Sequence, residues 1–82
     1  MLKIKNDVRI DDFDLFTSYG FKPSDYCGDR VWEKEFRKGL FYKEYLIIWW
    51  KDKEIQIRNN GQVVLNTLYD LIQAGLVEKV EE

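Results

Sequence analysis

The sequence predicts a small α+β domain, an antiparallel sheet with two helices packed on one face. Three observations predict it. Arg30–Arg37 and Glu54–Arg58 alternate polar and apolar residues at period two, and the aromatic and β-branched run Leu40–Trp50 lies between them, with turn-forming residues at each junction. On either side lies a stretch with helical apolar spacing that ends in glycine. Short alternating segments stand at both ends of the chain. The expected order is β-α-β-β-β-α-β, a three-strand meander plus short terminal strands. A chain of 82 residues suits a single domain spanning 1–82.

Each element has its own local reason. Leu2–Lys5 alternates and reads as a short strand. Phe13, Leu15 and Phe16 cover one side of a short helix, with Asp11 or Asp12 as N-cap and acids near the positive pole of the helix dipole. Gly20 stands where a left-handed residue ends a helix, and Pro23 follows. Ser24–Asp29 has the composition of a turn. Arg30–Arg37 alternates through Trp32 and Phe36, Lys38-Gly39 makes a turn, and Leu40–Trp50 is the strongest strand signal in the chain. Lys51-Asp52-Lys53 turns again into Glu54–Arg58. After Asn59-Asn60-Gly61, the residues Val64, Leu65, Leu68, Leu71 and Ile72 mark an amphipathic helix over Gln62–Ala74 that Gly75 ends. Leu76–Glu81 returns as a last short strand.

The central strand is apolar on both sides. Leu40, Tyr42, Leu46, Ile48 and Trp50 share one face, and Phe41, Tyr45, Ile47 and Trp49 share the other. Pairing Trp49 with Ile55 buries the odd-numbered face, whereas pairing Ile48 with Ile55 and Leu46 with Ile57 buries the even one. Either register leaves rings on the opposite side. Trp32, Tyr42, Tyr45 and Trp50 are the expected contact residues of that second surface, with Lys34 and Lys43 at its rim. An aromatic face of this kind is either a binding or oligomer surface or ordinary core, covered by the loop around Tyr26 or by the chain termini.

Charge is uneven along the chain. The net charge of −2 divides into −2 over residues 1–29, +3 over 30–58 and −3 over 59–82. The mildly basic middle mixes its signs, as in WEKEFRK, which is the pattern of a solvated sheet face with cross-strand pairs. Single-stranded nucleic acid is the alternative occupant of the aromatic face, with Lys34, Lys38, Lys43 and Arg58 around the rings, although the RNP-type motif is absent.

Recognisable chemistry is missing from the sequence. With no histidine, the commonest general base and metal ligand is lacking, and Ser-His-Asp and Cys-His arrangements are excluded within one chain. Cys27 has no CxxC partner, and Asp7, Asp11, Asp12 and Asp14 miss the calcium-loop spacing. The five glycines form neither a phosphate loop nor a dinucleotide fingerprint. The expectation is a non-catalytic protein without metal or cofactor. No run of apolar residues is long enough to span a membrane, MLKIKNDVRI lacks the apolar centre of a signal peptide, and a lone cysteine suits the reducing cytoplasm.

Two resemblances add to these readings. LYDLIQAGLVEKV (68–80) resembles the end of a winged helix, which implies DNA binding, yet residues 62–74 carry no basic group for phosphates. LKIKNDV (2–8), the helix end Tyr19–Lys22 and the closing LYDLIQAGLVEKVEE resemble small uncharacterised proteins encoded by phages and prophages of Gram-positive bacteria. That resemblance implies a bacterial cytoplasmic accessory protein and carries over no functional residue. The expected partner is another protein or a second copy of the chain.

Overall fold

A computed structural model describes residues 1–38, 43–58 and 61–80, the side chains of 37 and 38 excepted. The elements are β1 (Leu2–Ile4), α1 (Phe13–Ser18), β2 (Lys22–Tyr26), β3 (Asp29–Lys38), β4 (Lys43–Trp49), β5 (Ile55–Arg58), α2 (Gln62–Gln73) and β6 (Val77–Lys79). The molecule is α+β with antiparallel strands and two helices. Its strands form two sheets: β2-β3-β4-β5 in that order, and a separate β1-β6 pair. A bridge between Lys3 and Glu54 joins them, and the Ile4 amide donates to the Lys53 carbonyl at 2.9 Å.

The meander therefore has one strand more than the sequence reading expects. Lys22–Tyr26 pairs with β3 over five residues, and only Cys27 and Gly28 turn. Both have positive φ, +52° and +85°, the conformation of a two-residue hairpin loop of type I′. KPSDY carries no apolar alternation because it is an edge strand whose side chains mostly face water; Pro23 is tolerated there because an edge leaves an N–H unneeded. Lys38, expected in a turn, instead closes β3 and pairs with Lys43, while Gly39 and the start of the strand expected at Leu40 lie outside the described residues.

Of the two registers, the structure takes the even one. Ile48 pairs with Ile55 and Leu46 with Ile57, while Trp32 lies beside Ile48 on β3. Trp32, Leu46, Ile48 and Ile55 join Phe16 of α1 and Val64, Leu68 and Leu71 of α2 in one buried cluster, with Ile4 and Val77 from the terminal strands. Spacings of three and four place the α2 members on one stripe. Asp12 caps α1, its side chain accepting from the Leu15 amide at 3.1 Å, and Gly75 (φ +75°) ends α2 as expected.

Candidate functional site on the outer sheet face

The face of the large sheet opposite the core is built by the odd-numbered positions of β3 and β4 and their neighbours. Directly paired residues share a face. Tyr26 and Asp29, Ser24 and Val31, Lys22 and Glu33 therefore stand together, as do Val31 and Trp49, Glu35 and Tyr45, Tyr45 and Arg58, and Ile47 and Gln56.

On this face Val31 and Ile47 are 0% and 1% exposed, yet neither belongs to the main core cluster. Three rings gather on the same face. Tyr26 and Trp49 meet edge to face, their centroids 5.9 Å apart, and the hydroxyls of Tyr26 and Tyr45 are 3.3 Å apart. Tyr26 stands on β2 and the other two on β4. Strands two apart are separated by roughly 9.5 Å, so these contacts arch across β3. Tyr26 remains 38% exposed, and Tyr45 and Trp49 are half-buried. The hydrogen bond to Tyr26, with some burial, holds the Tyr45 phenol above its ordinary pKa.

Polar groups surround the rings with both signs. Lys51 places its ammonium 5.2 Å from the Trp49 ring and 3.3 Å from the Asp29 carboxylate. The Trp49 indole N–H donates to Gln56 at 3.2 Å. Glu33 and Glu35 line β3, and Lys22 and Arg58 stand across from Glu33 and Tyr45. This is the mixed-sign sheet face that the central charges suggest.

The structure brings together few of the residues expected from sequence. Tyr45 is on this face. Tyr42 lies outside the described residues. Lys43 is exposed at the start of β4 and engaged in an interaction. The expectation that Trp32 and Trp50 occupy a second, open surface is corrected: both are on the core side. Trp32 is 0% exposed, stacked 5.2 Å from Phe16, with its indole N–H on the Ile10 carbonyl at 2.6 Å. Trp50 is half-buried against the cluster, beneath the Arg30 guanidinium at 4.8 Å. Choosing the largest rings mixes the two faces; parity along the strand separates them.

Lys34 is also on the core side, where it joins two helices. Its ammonium donates to the Tyr19 carbonyl at the end of α1 (2.7 Å) and to the Thr67 hydroxyl of α2 (3.4 Å). Tyr26, Trp49, Lys51 and Gln56 were not among the expected contacts. The shared parity of Tyr45, Ile47 and Trp49 was a legible signal for Trp49, whereas Tyr26 sat in an apparent turn.

Among the described residues no three His, Cys, Asp or Glu side chains gather as metal ligands, and no helix is long and apolar enough to cross a membrane. No family model, curated relative or solved structure matches the chain.

Proposed function

We propose that this chain is a small non-catalytic interaction module that meets a protein partner through the outer sheet face, with Tyr26, Tyr45 and Trp49 as the contact rings. The observation that carries the reading is the ring cluster itself. Val31 and Ile47 are buried on a sheet face outside the main core cluster, and Tyr26, Tyr45 and Trp49 on that same face remain partly exposed. Tyrosine and tryptophan are favoured in such positions because they supply large contact area and a polar tip at little entropic cost. The likeness of the chain's ends to phage and prophage proteins supports a bacterial cytoplasmic accessory protein.

Single-stranded nucleic acid is the second reading, favoured by Lys51 over Trp49 and Arg58 across from Tyr45. Asp29, Glu33 and Glu35 on the same face repel phosphates, which places it behind the first. One experiment separates the two. The tagged chain and a Tyr26→Ala/Tyr45→Ala variant with unchanged circular dichroism are compared in nuclease-treated bacterial lysate. The expected result is a protein held by the native chain and lost by the variant. A protein held equally by both removes this face from the reading, and salt-sensitive retention of oligonucleotide by the native chain alone establishes the second reading instead.

A further inference from the structure

Lys53 is engaged at every polar atom it has. Its amide donates to the Trp49 carbonyl at 2.8 Å, and its carbonyl accepts from the Ile4 amide at 2.9 Å. Its ammonium donates to the carbonyls of Lys5, Asn6 and Val8 at 3.2, 3.3 and 2.6 Å. Three donors meet three acceptors, which is the full capacity of an ammonium. Among the described residues Lys53 makes no ion pair, so the groups in contact with its charge are neutral carbonyls.

The chain before α1 gathers these acceptors by its own bonds. The Val8 amide donates to the Lys5 carbonyl at 3.1 Å and closes a turn, while the Lys5 amide donates to the Leu76 carbonyl at 2.9 Å. Neither bond involves the Lys53 side chain. The three carbonyls therefore form a cradle that stays converged when that side chain is removed.

The backbone of Lys53 gives a second, independent observation. Its φ is +63°, in the left-handed region where glycine is the easy residue. A side chain persists in that region only where its surroundings over-determine it. Lysine stands here at a backbone cost, and the contact that offsets the cost is the carbonyl cradle.

We propose that the carbonyls of Lys5, Asn6 and Val8 are a binding site for a primary ammonium, filled in cis by Lys53. The class of ligand follows from the donor set. Divalent ions take carboxylates and six or more oxygens, whereas three neutral oxygens match the three N–H groups of one monovalent cation. An external alkylammonium therefore enters the cradle once the Lys53 side chain is gone. The site shares no residue with the outer sheet face, so the two readings fail independently.

Thermal melts of the native chain and of Lys53→Gly test the proposal, because the two effects of this substitution have opposite sign. Glycine removes the left-handed cost, so an ammonium that contributed nothing would leave the variant melting at or above the native chain. The expected result is a melting temperature lower by about 4 °C or more, the shift that one net hydrogen bond gives in a chain of this size. Addition of n-butylammonium chloride at about 100 mM raises the variant, since it binds the folded state alone, and leaves the native chain unchanged. Butyltrimethylammonium chloride has the same chain and charge but no N–H, and it restores nothing. A variant as stable as the native chain overturns the proposal, as does an equal response to the two salts or a response to neither. Acylation of the native chain with a water-soluble anhydride decides the matter even where the variant does not fold. Lys53 is expected to react about tenfold more slowly than the exposed Lys22, because its amine is available only after local opening. Equal rates at the two lysines overturn the proposal.

Discussion

Trp32 and Trp50 stand 5.4 Å apart in one aromatic cluster, yet their indole nitrogens have opposite environments. That of Trp32 donates to the Ile10 carbonyl at 2.6 Å, tying the segment before α1 onto the sheet. That of Trp50 is buried with no hydrogen-bond partner among the described residues. Removing one member of a buried hydrogen bond strands the other, at about 1–3 kcal/mol, whereas removing an unpartnered donor relieves a desolvation cost. Trp32→Phe is therefore expected to destabilise by that amount and Trp50→Phe by clearly less, read from urea midpoints at unchanged m. Equal losses would mean that the Trp32 hydrogen bond contributes nothing beyond ring packing.

At the scale of the element, α2 begins without a side-chain cap, because its N-cap is Gly61. The carboxylate of Glu44 lies beside this end of the helix. A Cβ built at Gly61 would lie 2.7 Å from a carboxylate oxygen of Glu44 on β4, so glycine leaves the space this side chain fills. A negative charge at a helix N-terminus contributes roughly 0.3–1 kcal/mol. Glu44→Gln should lower stability by that amount. Gly61→Ser is expected to be neutral or worse in the native chain, since it displaces Glu44, and stabilising in a Glu44→Ala background, where the hydroxyl caps freely. A double-mutant cycle of melting temperatures measures the coupling, and an additive cycle would refute it.

The whole molecule is held by its ends. β1 pairs with β6, bridges to Glu54, and sets Ile4, 0% exposed, into the core shared by both helices. Lys53 strengthens this closure: its ammonium donates to the carbonyls of Lys5, Asn6 and Val8 at 3.2, 3.3 and 2.6 Å. Ile4→Ala is expected to cost about 2–5 kcal/mol, the range for emptying a buried aliphatic site. Because the strand ties distant parts of the chain, the loss should appear as one cooperative transition at lower urea. A separate early transition confined to the N-terminal segment would show that the ends close independently of the sheet.

The sequence by itself determined the class of fold, both helices and their stop signals, and the strands Arg30–Arg37 and Glu54–Arg58 to within about two residues, the usual latitude of element ends. Periodicity and caps are local, and local sequence carries them. Two things awaited the tertiary structure. Lys22–Tyr26 is a strand only because β3 offers its edge; its polar side chains hold no periodic signal. The face of β4 that enters the core was balanced in the sequence, apolar on both sides. The left-handed Lys53 (φ +63°) in the hairpin sets the pairing that turns Leu46 and Ile48 inward. With that register chosen, Trp32 and Trp50 become core, and Tyr26, Tyr45 and Trp49 become the surface. A shift of one residue exchanges the two faces of a strand, so the candidate site depended on a turn.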